Sequence, residues 1–456
     1  MEYARVLVNH SFRLPEVART NPYSRVELRD SARSGATLGR TRSLIDSLAT
    51  RLVSGLGFTD TGRVVALEMT AVTETLWTLS PAGFGLYNGL SGIALGLFGA
   101  SSLTDNQEYY DVAEQILLDC GDSIDFILKD DKNLDAASEL LDFGFFGVTG
   151  GLLLSCYWAH EHNLAGAKQE WCTRYQTLLD ILAGAVRRDK GSVDVEIISG
   201  LAGSALLLTK TMHMNRSATV HCLSQVVEIL VERVEELYFD SEGRGKEPDE
   251  MRLVGFAHGS DGILYAISRT LNYLPGGLRE RTIKLLKSLF AWEREVVRTA
   301  GGIWDDYREN SKDSNYIMNA WCHGATGAMI AMKELSQNSY LSCEERVEAK
   351  RLQAKAESQS RASLNGSSSQ LAKKGFSLCH SKLSNALLLL ENSNSHDDEI
   401  LRRLFENEVK ELEDKGWLGG GIEGVQNQGL MLGLAGTIFM LAAYTDPGVV
   451  PDVLQP

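Results

Sequence analysis

One phrase recurs along this chain and limits what it can fold into. It is Gly-x-x-Gly followed by an apolar run. Seven stretches align on it: GLYNGLSGIALGL from Gly85, GFFGVTGGLLLS from Gly144, IISGLAGSALLL from Ile197, GFAHGSDGILYAI from Gly255, AWCHGATGAMIAM from Ala320, SLCHSKLSNALLL from Ser377 and GLMLGLAGTIFML from Gly429. The first glycines are Gly89, Gly147, Gly200, Gly259, Gly324 and Gly433, and Ser381 stands in their place in the sixth stretch. Their spacing of roughly fifty to sixty-five residues is the signature of a repeat architecture.

The runs are rich in Leu, Ala and Met and do not alternate apolar with polar residues, which predicts helices buried nearly all round. Glycines at their entrances permit unusual backbone angles and close helix approach. Between the phrases lie amphipathic stretches such as SQVVEILVERVEELY (224–238) and LRERTIKLLKSLFAWEREV, which read as outer helices. An apolar inner helix paired with an amphipathic outer helix, seven times over, predicts an all-α fold, an α/α toroid of about seven helical hairpins. An open superhelix is the alternative, because periodicity does not decide closure. Residues 1–80 are expected to be an N-terminal segment with a first outer helix, and 81–456 the toroid. The polar, Ser-rich stretch 355–374 reads as a loop, and GGGIEG at 419–424 as a loop over the mouth of the ring.

The chain carries 45 Lys and Arg against 60 Asp and Glu, a formal charge of −15. Nucleic-acid partners call for a basic surface, so none is expected. The first twenty residues hold no secretory apolar core, and the apolar runs fall short of the ~20 residues that span a bilayer. A cytoplasmic protein with no membrane span follows as the expectation. Seven scattered cysteines then read as core residues or metal ligands rather than disulfides.

The repeat offset brings the chemistry together. Two residues before the first Gly stand Tyr87, Phe145, Ile198, Ala257, Cys322, Cys379 and Met431, and one residue before it Asn88, Phe146, Ser199, His258, His323, His380 and Leu432. In a ring, equal offsets mean equal height, so residues far apart in sequence converge at one end. A single Cys-His pair would read as buried core, whereas two pairs at one offset favour a metal. Cys322, Cys379 and His380 offer two thiolates and an imidazole, a set suited to tetrahedral Zn2+. If His323 ligates too, the site is closed and structural. If it does not, the fourth corner is open to water or substrate. Adjacent residues rarely both ligate one ion with good geometry, which favours the open site. A zinc-bound thiol adding to an activated alkene needs a proton donor for the resulting carbanion, and His258 and His323 are the candidates. Glu196, four residues before Gly200, is placed to orient a histidine, with a capping role as the alternative.

The phrases LYNGLSGIALGL, GFAHGSDG, WCHGATG, LCH and GLMLGLAG resemble the lanthionine synthetase C-like cyclase family over roughly residues 80–456. WCHGATG, GFAHG and the ending DPGVVPDVLQP look closest to the C-terminal cyclase domain of class II lanthipeptide synthetases. The resemblance implies a toroid with zinc on Cys322, Cys379 and His380, and His258 as the acid/base residue. The implied reaction adds a peptide cysteine to dehydroalanine or dehydrobutyrine to close a thioether ring. The implied partners are a dehydrated precursor peptide and a separate dehydratase, since about eighty residues before the first repeat are too few for a dehydratase domain. Departures from the family pattern are Glu196 where Asp is usual, Met318 where some members have Arg, and Ser381 and Ser384 where Gly is common. Those at Glu196, Met318 and Ser381 favour the first of two other functions. One is a non-catalytic peptide-binding scaffold on the same toroid; the other is an enzyme adding thiols to other dehydroamino-acid proteins.

Overall fold

A computed structural model of the chain describes residues 35–71, 77–129, 143–308, 319–365, 375–392, 399–417 and 427–455. Among these residues the apolar runs are all helices: α2 (Leu90–Thr104), α4 (Val148–Glu161), α6 (Leu201–Lys210), α8 (Ser260–Thr270), α10 (Ala325–Gln337), α12 (Lys382–Asn392) and α14 (Leu434–Thr445). Each is followed or preceded by a longer amphipathic helix: α1 (Gly35–Ser54), α3 (Gln107–Leu128), α5 (Lys168–Arg188), α7 (Arg216–Tyr238), α9 (Gly276–Thr299), α11 (Cys343–Asn365) and α13 (Glu399–Lys415). Every residue of α14 is buried, whereas α9 buries only a stripe that includes Leu285, Leu286, Leu289, Phe290, Val296 and Val297. Helices of the first kind must be enclosed on all sides; those of the second kind enclose them.

Consecutive inner helices touch one another from α2 to α14, and α14 touches α2, so the ring is closed. The open superhelix is thereby excluded. Closure is completed from the other end of the sequence: α1 packs against both α14 and α2. It also reaches α13 through Arg40 and Glu413 at 3.8 Å. Turns between inner and outer helices are short where side chains cap them. Asp105 (φ 55°) ends α2, and the Asn106 side chain then accepts the Glu108 N–H at 3.0 Å to start α3.

The glycines of the repeated phrase are explained by contact with backbone. A Cβ placed on Gly436 would lie 1.7 Å from the Leu430 carbonyl oxygen, on Gly203 1.9 Å from that of Ile197, and on Gly327 2.2 Å from that of Trp321. Each inner helix that carries this glycine thus starts pressed onto the turn that leads into it. Gly324 additionally has φ +94°, in the region that disfavours side chains.

Two features depart from the sequence reading. Residues 355–365 are not loop but the last three turns of α11, while 366–374 lie outside the described residues, as do Met318 and 419–424. Leu352, Ala356, Ser360 and Leu364 are buried at a spacing of four, and the Ser360 hydroxyl bonds that of Thr326 on α10 at 2.7 Å. Small and polar residues on the buried face hid this helix. Secondly, residues 57–81 hold two small antiparallel hairpins, β1 (Gly57–Phe58) with β2 (Val64–Val65) and β3 (Leu67–Ala71) with β4 (Trp77–Pro81). Buried Asp119 of α3 ties the first to the ring by accepting the Val64 N–H at 2.7 Å.

Candidate metal centre

All seven inner helices begin at the same end of the ring, because the turns preceding them bond to one another. The Tyr87 N–H donates to the Phe146 carbonyl at 2.8 Å, Phe146 to Ile198 at 3.1 Å, Ile197 to Ala257 at 3.1 Å and Ala257 to Cys322 at 3.1 Å. On the other side Cys379 donates to Met431 at 3.1 Å and Met431 to Tyr87 at 2.8 Å. The common height read from the repeat offset is therefore a belt of hydrogen-bonded turns. Cys322 and Cys379 stand three residues before α10 and α12, at helix N-termini that favour negative charge.

On this belt Cys322, Cys379 and His380 meet. Their sulfur and imidazole nitrogen atoms all lie within 4.8 Å of one another, and both cysteines are buried. The Cys322 thiol is pushed well up by its hydrogen bond with Cys379 and by burial. The same bond pulls Cys379 below the ordinary thiol value, against burial and with help from the Tyr87 hydroxyl and the Arg308 charge. A cation bound between the two sulfurs would favour the thiolate form of both. Two buried soft sulfurs and a partly buried imidazole fit zinc by donor type. No disulfide links any of the seven cysteines.

His323 is not part of the cluster. It is buried, and its ring stacks on His258 with centroids 5.5 Å apart. Burial together with the Arg308 and His258 charges pulls its pKa to about 3, so the ring is neutral. His258 differs: 43% of its side chain is exposed, and Nδ1 lies 3.0 Å from Glu196 Oε2. Burial acts to lower the His258 pKa, but the hydrogen bond and charge of Glu196 outweigh it and hold the ring above the usual histidine value. Glu196 is in turn held below the usual carboxylate range: burial raises it, and His258 and the Ser199 donors prevail. Its carboxylate accepts from Ile198 N–H at 2.7 Å, Ser199 N–H at 2.6 Å and Ser199 Oγ at 2.8 Å. Those bonds fix its direction, and the extra methylene of Glu over Asp is taken up within the turn. The capping and the orienting readings of Glu196 thus describe one and the same geometry.

Two participants escaped the sequence reading. Tyr87 donates its hydroxyl to Cys379 Sγ at 3.6 Å; its place at the shared offset was visible, its partner 292 residues away was not. Arg308 is bonded to Asp306 at 2.8 Å, and its charge acts on both cysteines. It lies outside the repeated phrase, and nothing in the sequence pattern marks it.

Residues 80–455 match the family model described as lanthionine synthetase C-like protein. Over 204 residues, 41% of this chain, the sequence is 28% identical to the lacticin 481/lactococcin biosynthesis protein LcnDR2 of Lactococcus lactis subsp. lactis. The match spans only 20% of that relative's length. Among solved structures the chain is similar to a nisin cyclase, with a TM-score of 0.54 and 15% identity, covering 90% of this chain and 94% of the other. That likeness concerns the fold. Among the described residues no helix is long and apolar enough to cross a membrane.

Proposed function

The chain belongs to the lanthionine synthetase C-like family, and on that basis we propose that it is a zinc-dependent cyclase that closes thioether rings in a dehydrated precursor peptide. The observation that carries this reading is the convergence of Cys322, Cys379 and His380 beside the His258–Glu196 pair. A zinc ion bound there would lower the pKa of an incoming peptide thiol, and its thiolate ligands would keep the bound sulfur nucleophilic.

Cys322, Cys379 and His380 would hold the zinc ion, and with three protein ligands it would have room for the substrate sulfur. His323 stacks on His258 and would not compete for that place. As the sulfur bonds the β-carbon of dehydroalanine or dehydrobutyrine, the alkene electron pair shifts to the α-carbon. His258 then supplies the proton. Its Nδ1 is engaged by Glu196, so Nε2 is the atom that faces substrate, and it is His258, not the buried His323, that a peptide can reach. The net change is S–H added across C=C. Ring closure leaves mass unchanged and consumes one free thiol.

The test is incubation of the zinc-loaded chain with a dehydrated precursor peptide, followed by thiol alkylation and mass spectrometry. Loss of alkylatable cysteine at constant mass is expected; a chain that binds no zinc and leaves every thiol free would be a scaffold. Glutathione supplied with the same peptide separates a general thiol-adding enzyme, which would raise the peptide mass.

His258→Ala should keep the metal and lose ring closure by about 10²- to 10⁴-fold, the usual contribution of a positioned acid. The pH profile reports the pair more finely. Glu196 raises the His258 pKa, so the proton-donating form persists to higher pH than for an isolated imidazole, and activity falls as pH rises through that raised value. Glu196→Gln removes the charge and should move this alkaline limb to lower pH. An unshifted limb would dissociate Glu196 from the acid.

A further inference from the structure

The belt of turns has a gap. Among the described residues, neighbouring repeats are linked by backbone hydrogen bonds at every junction but one: first to second, second to third, third to fourth, fourth to fifth, sixth to seventh, and seventh back to first. At three of them the register is the same, from the N–H two residues before the first Gly position to the carbonyl at the same offset in the next repeat: Ala257 to Cys322, Cys379 to Met431, and Met431 to Tyr87. The corresponding bond at the fifth-to-sixth junction would run from the Cys322 N–H to the Cys379 carbonyl, and among the described residues it is absent. That junction is where the three metal-ligating side chains converge.

The sixth turn also differs in its own construction. Elsewhere the second glycine position of the phrase holds a glycine pressed on backbone, as at Gly436, Gly203 and Gly327. Here Ser384 carries a side chain, and the turn closes on itself. The Ser384 N–H donates to Ser381 Oγ at 3.0 Å, and Ser384 Oγ donates to the Ser381 carbonyl at 2.9 Å. Side-chain hydrogen bonds do cross the junction: Asn385 Nδ2 donates to the Asn319 carbonyl at 2.5 Å, and the Cys322 and Cys379 thiols bond to one another. The two inner helices behind it, α10 and α12, are in contact.

We infer that the metal bound by Cys322, Cys379 and His380 stands in for the missing backbone bond and latches the ring at its fifth-to-sixth junction. Cys322 belongs to one side of the joint and Cys379 with His380 to the other, so a single ion ligated by all three must tie the two turns. A metal held by thiolates is a far stronger tie than one peptide hydrogen bond. The substrate corner then lies on a joint whose two turns the metal holds more tightly in register than their side-chain contacts alone. The inference rests on the zinc reading above and goes beyond it, because a metal serving chemistry alone could sit on a turn already closed by its backbone.

The test compares the zinc-loaded and chelator-stripped full chain by hydrogen exchange with mass spectrometry, with metal content measured on the same samples. Peptides covering 319–329 and 375–389 should exchange about tenfold faster without metal, while those covering 84–98 and 143–156, at the first-to-second junction, stay within about twofold, as expected for a local opening. If about one zinc is bound and exchange at the fifth-to-sixth junction does not respond to its removal, the latch is wrong and the metal reading stands. Exchange rising uniformly around the ring also overturns the latch. A chain that takes up no zinc overturns both.

Discussion

Replacing Cys322 with alanine should reduce bound zinc from about one per chain to nearly none and abolish ring closure. Loss of an outer-shell partner alone weakens metal affinity by ~10- to 100-fold, so loss of one of three protein ligands should exceed ~100-fold. His380→Ala should behave alike, since it removes the imidazole from the same cluster. Cys222→Ala is the control. That cysteine is also buried, on α7, where it donates weakly to the Leu179 carbonyl at 3.7 Å, far in sequence from Cys322, Cys379 and His380. Its loss should cost about 1 kcal/mol of stability and no zinc. Plasma emission spectrometry of the three purified variants, with circular dichroism to verify helicity, decides the matter. A Cys322→Ala chain that retained its metal would remove the basis of the proposed function.

The largest stability effect is expected at a glycine in another repeat. Gly436→Ala puts a methyl group 1.7 Å from the Leu430 carbonyl oxygen, with the Leu378 Cβ 3.2 Å away on the neighbouring turn. The obstacle is backbone, which cannot rotate aside, so the first turn of α14 must move off the belt. Overpacking of this kind costs ~3 kcal/mol or more. Gly184→Ala is the contrasting case. Gly184 lies within the outer helix α5 with no neighbour within 4 Å of the new methyl. There alanine should stabilise the chain by about 0.5–1 kcal/mol through helix propensity. Urea unfolding of both variants should therefore move the midpoint in opposite directions.

The extent to which the sequence disclosed this architecture follows from the same physics. The inner helices were legible because burial on all sides leaves no room for polar residues, and because Gly436 and its counterparts must recur wherever a helix start rests on backbone. The cysteine–histidine cluster was legible because a ring converts equal offset into proximity, which brought Cys322 to Cys379 across more than one helix of intervening chain. What repetition does not govern stayed hidden. The end of α11 presents Ala356 and Ser360 to its neighbour rather than a row of large apolar residues. The hairpins at 57–81 are two to five residues per strand, too short for an alternating pattern to register. Tyr87 was visible by position but not by partner, and Arg308 by neither.

The pairing of α1 with α14 bears on how the molecule comes into being. Residues 35–54 leave the ribosome well before residues 434–445, which form the helix they pack against. Until that last inner helix emerges, the apolar flanks of α1 and α2 have no permanent cover, and nascent chains in that condition are exposed to association with one another. Contacts so distant in sequence also slow the final step of folding, since α1 and α14 must find each other across all the repeats that lie between them. Biogenesis of this protein is thus expected to depend on protection of the growing chain until the circle is complete.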